Sequence, residues 1–446
     1  MKKVLIANRG EIAVRVIRAC QELGLRTVAV HSLVDKNALH AKLADESICI
    51  GPAESLKSYL HIPSVISAAE LAGVDAIHPG YGFLSENAEF AAICEQYGIN
   101  FIGPTSNQMA TLGNKVKARE LAIAADVPLL PGSDGVVTNE KTALSLAHEI
   151  GFPVIIKAAA GGGGRGMKIA YNEDELLRLF PLARREAEVG FGSPDVFMEK
   201  FLPRPRHVEV QIIADKHGNM AHLGERDCSV QRRHQKIIEE APCPVLTAEE
   251  RKRVGEIALK FVRAKGYQSL GTVEFLYHEG HFYFMEMNVR AQVEHPVTEM
   301  ITGLDLIKEQ IRIAQGKVLN LPKQKYGAKH SIECRINAED PVSFAPWPGK
   351  VTDFHQPGGP GVRVDSMLYS GYTVPKQYDS LLAKVIVYGD SRDECLVRME
   401  RALKEMKVDG IRTNIDFHLR LFADPDFRAA KLSTRFLDEF IARSKT

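Results

Sequence analysis

Two carboxylates that flank a short turn are the residues best suited to chemistry. Glu274 lies in an apolar run before the turn at 278–281, and Glu286 lies at a similar distance after it. The two runs predict the strands of a β-hairpin. Glu286 and Asn288 share a face if the second strand stays extended. Two carboxylates and an amide oxygen suit Mg²⁺ or Mn²⁺, which take oxygen ligands and keep positions open for phosphates.

The relative placement of these carboxylates depends on the hairpin register. An odd-numbered loop or a β-bulge puts Glu274 and Glu286 on one face, whereas a two-residue loop does not, and the sequence leaves both open. A glycosidase pair is the rival use of two carboxylates. The chain has only one Trp, however, and a sugar site calls for aromatic residues. A solvated strand face is the alternative without chemistry.

A glycine-rich segment is the sharpest local motif. Gly161, Gly163 and Gly166 satisfy G-x-G-x-x-G after an apolar run that contains Lys157. No helix is predicted after the loop and no Gly-Lys-Ser/Thr follows, which argues against a dinucleotide turn and a P-loop. Glycine N–H groups approach phosphates closely, and a lysine adds a mobile cation. We therefore predict a phosphate-binding hairpin, with a flexible surface hairpin as the alternative.

A dense run of charge at 225–236 contains Gln231, His234 and Lys236. A nucleic-acid-facing patch is one interpretation of such a run. Acidic residues bracket it on both sides, so an anion site is the better hypothesis. The alternating stretch at 207–211 upstream is able to direct one polar face at the same cleft.

The elements that must position these residues begin with a βαβ rhythm. Residues 4–7 and 27–30 predict strands that are separated by an amphipathic helix, which indicates a parallel, doubly wound sheet. The first turn has one glycine rather than G-x-G-x-x-G, so we do not assign a dinucleotide site there. Helices are predicted near 115–125 and 392–407, and a linker at 321–327.

Composition limits the function classes. The 446 residues suggest about three domains. The net charge of +1 lacks the basic excess of a dedicated nucleic-acid binder. Seven dispersed cysteines without a C-x-x-C pair argue against a zinc ribbon and suit reduced thiols. No apolar run approaches the roughly 18 residues of a membrane span, and the N-terminal run is too short for a signal peptide, so we expect a cytoplasmic location.

Together these motifs resemble the biotin carboxylase family of ATP-grasp enzymes, over essentially the whole chain. The family's marks are Ile-Ala-Asn-Arg-Gly-Glu-Ile-Ala from residue 6, His-Pro-Gly-Tyr-Gly-Phe-Leu-Ser-Glu from residue 78, the glycine loop, the run at 226–236, Glu-Met-Asn-Val-Arg-Ala-Gln-Val-Glu-His-Pro-Val-Thr-Glu from residue 286, Glu-Cys-Arg-Ile-Asn-Ala-Glu-Asp from residue 333 and Tyr-Asp-Ser from residue 378. The glycine loop and Glu-Met-Asn-Val-Arg also resemble carbamoyl phosphate synthases. The arginine–histidine run and Gln-Val-Glu-His-Pro are more specific to biotin-dependent carboxylases.

The resemblance implies an α/β and α+β fold with three domains. A Rossmann-like, pre-ATP-grasp domain is expected over 1–112. A central ATP-grasp domain is expected over 113–320, with a mobile lid at about 130–200. A mixed α+β C-terminal domain is expected over 328–446.

The resemblance also implies roles for individual residues. The implied general base is Glu294, and the other implied catalytic residues are Lys236, Arg290 and Arg335. The implied metal ligands are Glu274, Glu286 and Asn288. Bicarbonate and biotin would contact Lys236, Arg290, Gln292, Val293 and Arg335. ATP would contact Lys115, Lys157, Gly162, Gly163, Gly164, Arg165, Gly166, Glu199, Lys200, Leu202, His207, Gln231, His234, Glu274, Leu276 and Glu286.

The implied activity is carboxylation of biotin with ATP and bicarbonate, through carboxyphosphate and with two Mg²⁺ or Mn²⁺ ions. The chain has no Ala-Met-Lys-Met sequence, so we expect biotin on a separate biotin carboxyl carrier protein. Carboxyltransferase subunits and a homodimer are expected from the family, and neither nucleic acid nor membrane is an expected partner. Ala160, Asn114 and Trp347 depart from the usual family pattern without removing a charged catalytic group.

Acetyl-CoA carboxylase is the expected assembly, and propionyl-CoA and pyruvate carboxylase subunits share the same motifs. Another ATP-grasp ligase that passes an acyl phosphate to an amine is the runner-up. An ATP-binding regulatory subunit is the hypothesis without catalysis, and the full set of Lys236, Arg290 and Glu294 argues against it.

Overall fold

The computed structural model describes residues 1–159, 167–321 and 329–443, and these form the predicted combination of α/β and α+β structure. The glycine loop at 160–166 and most of the predicted linker lie outside the described residues. No helix within the described ranges is long and apolar enough to cross a membrane.

The first unit is a parallel sheet with helices between its strands, as predicted. The elements are β1 (Lys3–Ile6), α1 (Gly10–Glu22), β2 (Arg26–Ser32), α2 (Leu39–Leu43), β3 (Glu46–Gly51), α3 (Ile62–Ala72), β4 (Ala76–His78), α4 (Ala88–Gln96) and β5 (Asn100–Phe101), with short 3-10 turns at Leu33–Asp35 and Ser55–Lys57. The strand order is β3-β2-β1-β4-β5, and all neighbours are parallel. Val4, Ile6 and Ile12 are buried, in agreement with the apolar pattern of β1 and α1.

A small antiparallel sheet follows. The elements are α5 (Ser106–Leu112), α6 (Lys115–Ala124), α7 (Glu140–Ile150), β6 (Val154–Ala158), β7 (Lys168–Ala170), α8 (Glu173–Phe191) and β8 (Val196–Lys200), and the strand order is β7-β6-β8. The helix predicted at 115–125 is confirmed as α6. Ala143 and Ala147 of α7 and Phe180 of α8 pack into the apolar core of this sheet. Strand β7 rather than a helix follows the glycine loop, as the sequence predicted.

The next elements build most of the largest sheet. They are β9 (Arg206–Ala214), β10 (Met220–Arg232), β11 (Gln235–Ala241), α9 (Ala248–Arg263), β12 (Ser269–His278), β13 (His281–Asn288), α10 (His295–Thr302) and α11 (Leu306–Ala314). A capping box at Thr247 and Glu250 begins α9, since each side chain satisfies a backbone N–H of the other.

The last described segment contributes β14 (His330–Asn337), β15 (Gly349–Lys350), β16 (Asp353–His355), β17 (Val362–Ser366), β18 (Thr373–Val374), β19 (Leu381–Gly389), α12 (Arg392–Glu405), β20 (Lys407–Asp409), α13 (Ile415–Ala423), α14 (Pro425–Arg428) and α15 (Phe436–Arg443). The helix predicted at 392–407 is confirmed as α12. Cys395, Leu396 and Met399 on its buried face join the core beneath β14 and β19.

One sheet runs across the predicted boundary between the central and C-terminal units. Its strand order is β13-β12-β9-β10-β11-β14-β19-β17. Strands β11 and β14 pair antiparallel from Ile238 opposite Cys334 to Ala241 opposite Ser331. Side chains far apart in sequence on β9, β11, β12 and β14 therefore share one surface.

Candidate active site

A cavity of about 580 Å³ lies between the largest sheet, the small antiparallel sheet and the turn after β4. Most of the residues selected from the sequence line it, namely Lys115, Lys157, Glu199, His207, Gln231, His234, Lys236, Glu274, Leu276, Glu286, Asn288, Arg290, Gln292, Val293 and Arg335. Glu294 is completely buried and contacts two of the lining residues. Gly162, Gly163, Gly164, Arg165 and Gly166 lie outside the described residues.

The hairpin register that the sequence left open places the two carboxylates together. The loop between β12 and β13 has two residues, Glu279 and Gly280. A β-bulge then shifts the register, because Phe275 pairs with Phe284 while Glu274 pairs with Glu286. Directly opposite residues share a sheet face. The bulge is therefore what brings both carboxylates to the cavity despite the two-residue loop.

Five charged side chains form what we call the ionic centre: Lys236, Glu209, Glu274, Glu294 and Arg335. The Lys236 ammonium contacts Glu209, lies 2.9 Å from Glu274 Oε1 and lies 2.6 Å from Glu294 Oε1. Arg335 Nη2 donates to the other oxygen of Glu294 at 3.0 Å. The centre is assembled from β9, β11, β12, β14 and the start of α10, so it depends on the continuous sheet.

The ionic centre sets the protonation states of its members. Burial alone would raise the pKa of Glu294, but the charges of Lys236, Arg335 and Arg226 outweigh it and hold that pKa well below its usual range. Burial would likewise raise the pKa of Glu274, and Lys236 with His207 lowers it instead. Burial would lower the pKa of Lys236, and the surrounding carboxylates raise it well above its usual value. The lysine and these two carboxylates are therefore charged at neutral pH.

Arg226 supports the ionic centre from beneath the cavity. This arginine is completely buried, and its Nε lies 2.5 Å from Glu209 Oε1. It also donates to Gln211 at 2.7 Å and to Thr298 at 2.8 Å. A buried guanidinium with several acceptors is satisfied in a way that an isolated buried charge is not. Arg226 thereby joins β9 to α10.

Arg290 lies at the cavity wall between two parts of the chain. Its Nε donates to Glu86 at 2.9 Å, and its Nη atoms donate to Asn288 and Gln292 at 3.0 Å each. Glu86 also accepts from the backbone N–H of Val289 at 3.1 Å. The motif that ends at Glu86 is thus joined to the segment after β13, and the guanidinium is fixed at the cavity edge.

The opposite wall carries a second set of cations. Lys115 Nζ lies 2.6 Å from Glu286 Oε2, and Lys157 Nζ lies 2.5 Å from Glu199 Oε2. Arg119 contacts the other oxygen of Glu199 at 2.8 Å. Ammonium groups beside a cavity are suited to phosphate oxygens.

Two predicted residues are not brought into the cavity. Within the described part of the chain, neither Lys200 nor Leu202 lines the cavity. The Lys200 ammonium donates instead to the carbonyls of Gly151 and Phe152, at 3.1 and 2.8 Å. Lys200 is the last residue of β8 and Leu202 follows the strand. The sequence did not show in which direction the lysine side chain turns.

The residues proposed to hold a divalent cation fit that role. Glu274 and Glu286 lie opposite each other, and Asn288 Nδ2 donates to Glu274 Oε1 at 2.7 Å, so all three meet at one place on the cavity wall. Donor atoms of His207, Glu209 and Glu274 also lie within 4.8 Å of one another. Lys236 contacts both carboxylates of that second group, but in the first group it contacts Glu274 only. The set with Glu286 is therefore the better cation site.

Sequence reasoning missed several residues that the geometry brings to the site. Glu86 and Arg119 hold predicted residues in place, while Glu209 completes the ionic centre. Glu86 closes a motif that had been singled out, and Glu209 alternates with His207 on β9. Those two signals were present in the sequence, whereas Arg119 on α6 had no distinguishing pattern.

Three family models match the chain. The model of the biotin carboxylase N-terminal domain matches residues 1–109. The model of the carbamoyl-phosphate synthase L chain ATP binding domain matches residues 114–322. The model of the biotin carboxylase C-terminal domain matches residues 333–439.

Named proteins match over the full length. The biotin carboxylase of Pseudomonas aeruginosa is 55% identical and covers 100% of both chains. A Campylobacter jejuni biotin carboxylase–β,γ-ATP complex superposes with a TM-score of 0.94, at 48% identity over 98% of both chains. A second solved structure is the biotin carboxylase domain dimer of Hydrogenobacter thermophilus 2-oxoglutarate carboxylase in complex with MgADP, ADP and bicarbonate. It superposes with a TM-score of 0.92, at 47% identity over 98% of this chain and 97% of that chain.

Proposed function

Because the chain belongs to the biotin carboxylase family, we propose that its cavity is where ATP, bicarbonate and biotin meet, with a separate role for each wall. The chain is an ATP-dependent ligase that carboxylates biotin with bicarbonate. The observation that supports the division of the cavity is the contact of Lys236 and Arg335 with opposite oxygens of the buried Glu294. Two cations around one carboxylate suit a small anion that carries a transferable proton.

Glu294 is the proposed general base. Bicarbonate between Lys236 and Arg335 would lose its proton to Glu294 while its oxygen forms a bond to the γ-phosphorus of ATP. The bond from that phosphorus to the bridging oxygen breaks, which gives ADP and carboxyphosphate. A bound anion interacts with the same two cations and so weakens their stabilisation of the Glu294 carboxylate. The pKa of Glu294 then rises toward the range where the carboxylate accepts a proton.

Arg290 and Arg335 are the proposed biotin-side residues. Carboxyphosphate would break into CO₂ and phosphate, and phosphate would take the proton of the biotin ureido nitrogen. That nitrogen then bonds to CO₂, which gives carboxybiotin. Arg290, fixed by Glu86 and Gln292, presents a planar guanidinium to the enolate oxygen of biotin as charge develops there.

The proposed nucleotide wall contains Lys115, Lys157, Glu199, His207 and Gln231. Glu274, Glu286 and Asn288 would hold the divalent cation, which when bound neutralises charge on the ATP phosphates. Lys115 and Lys157 would contact phosphate oxygens directly, and His207 and Gln231 would orient the nucleotide. We further propose that backbone N–H groups of the glycine loop contact the phosphates.

A separate biotinylated carrier and a carboxyltransferase are the proposed partners. Acetyl-CoA is the proposed final acceptor, which places the product in malonyl-CoA synthesis. A biotin carboxylase domain of a 2-oxoglutarate carboxylase is 47% identical, so a 2-oxo acid acceptor is the second candidate. That domain is described as a dimer, and a homodimer is proposed here as well.

A purified-protein assay tests these proposals. ADP release is expected to require bicarbonate and to rise when free biotin is added, with carboxybiotin as the product. ADP release that depends on an added amine would favour the other ATP-grasp ligases instead. Acetyl-CoA, propionyl-CoA and pyruvate carboxyltransferase subunits, supplied with their biotinylated carriers, then identify the acceptor by product formation.

A further inference from the structure

Two carboxyl groups face each other in the centre of the largest sheet. Glu239 on β11 and Glu333 on β14 are directly paired in the antiparallel register, so their side chains lie on the same face. Both residues have no exposed surface. Neither was selected from the sequence as a site residue, and neither lines the cavity in the described part of the chain.

The two groups have very different partners. Glu239 Oε1 accepts from Arg335 Nε at 2.6 Å. Glu239 Oε2 and both oxygens of Glu333 have no hydrogen-bond partner among the described residues. A buried ionised carboxylate without a partner carries a large desolvation cost, and a second negative charge opposite the first adds repulsion. The pair is therefore stable only with a proton on one of its members, and Glu333 has fewer contacts to hold a charge.

The surroundings agree with that assignment. Among the described residues, the charged and titratable groups that interact with the pair are Lys236 on β11, Cys228 on β10, Cys334 and Arg335 on β14, Lys384 on β19 and Glu294 at the start of α10. Burial raises the pKa of Glu333 well above its usual value, with Lys384 opposing. Lys384 is engaged elsewhere, since its ammonium donates to the Val293 carbonyl at 2.9 Å and lies 3.2 Å from Glu11. Burial raises the pKa of Glu239 less, to about 7, because Arg335 opposes it.

We propose that Glu239 is a positioning residue for Arg335 and that Glu333 is a neutral carboxylic acid. The pair then carries one negative charge, which is on Glu239 and is paired with the Arg335 guanidinium. The inference rests on the proposed role of Arg335 at the biotin end of the cavity. Glu239 holds the Nε edge of the guanidinium while Glu294 accepts from Nη2. The guanidinium plane is thus fixed from two sides before substrates bind.

The test compares Glu239→Gln with Glu333→Gln in the full chain, using free biotin. Glu239→Gln removes the charge that orients Arg335, so kcat/KM for biotin is expected to fall about tenfold while KM for ATP stays within about twofold. Glu333→Gln replaces a neutral acid by a neutral amide of the same shape, so both constants are expected to stay within about twofold. Equal losses in the two variants would overturn the neutral state of Glu333.

The pH profile separates positioning from a merely structural role. In the wild type, kcat/KM for biotin is expected to rise with pH through about 7, as Glu239 becomes charged. That rise is expected to persist in Glu333→Gln and to be absent from Glu239→Gln. A Glu239→Gln variant with the wild-type profile and wild-type constants would overturn the positioning role.

Two further measurements keep the inference testable if Glu239→Gln folds poorly. In the infrared difference spectrum of wild type minus Glu333→Gln, recorded well above pH 7 so that Glu239 is charged, the carbonyl stretch of a protonated carboxylic acid is expected; a difference spectrum without that band would contradict the neutral acid. Arg335→Gln tests the proposed function separately. If Arg335→Gln has wild-type biotin kinetics, the proposed role of Arg335 itself is wrong. If Arg335→Gln loses biotin carboxylation while Glu239→Gln has wild-type kinetics, only the positioning role of Glu239 is wrong.

Discussion

The two walls of the cavity hold their charges in opposite ways. In the ionic centre, the Lys236 side chain is 12% exposed and its partners Glu209 and Glu294 are 0% exposed. On the nucleotide wall, the Lys115 side chain is 46% exposed and its partner Glu286 is 30% exposed. Ion pairs of similar length therefore sit in very different surroundings.

This difference matches what each wall is proposed to do. Bicarbonate is small and offers few contacts, so groups that act on it must be held in place before it binds. ATP is large and brings its own charges, so exposed lysines on long side chains are able to adjust to it. We infer that the buried wall supplies preorganisation and that the exposed wall supplies adaptable binding.

The largest effect is expected for Glu294→Gln. The amide keeps the shape of the side chain but is not able to take the bicarbonate proton, so bicarbonate-dependent ADP formation should fall by roughly 100-fold or more. ATP affinity should stay within about twofold, since Glu294 lies behind the opposite wall. Steady-state kinetics and ATP titration check both statements, and near-wild-type turnover would remove the base assignment.

The next effect is a contrast in stability between Lys236→Met and Lys115→Met. Loss of Lys236 leaves three buried carboxylates without their shared cation, which should lower the free energy of unfolding by about 3–5 kcal/mol. Loss of Lys115 breaks one exposed ion pair and should change the free energy of unfolding by about 1 kcal/mol or less. Urea titrations measure both, and equal losses would contradict the division between the walls.

Much of the fold and the site could be predicted because the determining signals are local. The apolar periodicity of β1 and α1 and the helix at 115–124 are confirmed nearly residue for residue. Glu274 and Glu286 were identified by residue type and by their distance from a turn. Their alignment was not predictable, because it depends on a bulge that no residue pattern in β13 announces.

The ionic centre shows why the remaining contacts of the site could not be predicted from the sequence. Glu209 and Arg335 are 126 positions apart, and they approach only because β11 pairs with β14 across the predicted domain boundary. Register between distant strands is set by the packing of whole faces rather than by local sequence. The direction of the Lys200 side chain was unpredictable for a simpler reason, since it depends on carbonyls of the preceding loop.

A smaller effect is expected for Arg290→Ala, which lies where the two walls meet. Carboxylation of free biotin should fall by about one to two orders of magnitude, because the enolate loses its cation. ATP binding should persist within about twofold. Glu86→Gln is the matched control, since it leaves the guanidinium in place with one neutral acceptor, and we expect an intermediate loss. Unchanged carboxybiotin formation by Arg290→Ala would exclude this residue from the biotin step.

The smallest expected effect is the salt dependence of the KM for ATP in Lys115→Gln. Lys115→Gln should raise KM for ATP several-fold at low ionic strength, and the ratio to wild type should shrink between about 0.05 and 0.5 M salt, because exposed charges are screened within about a Debye length. Lys404→Gln is the control, since that lysine forms an exposed pair with Glu400 on α12 and does not line the cavity; it should leave KM unchanged. A Lys115 ratio that is independent of salt would mean that this pair behaves like the buried ionic centre, and the two walls would then differ in geometry but not in electrostatics.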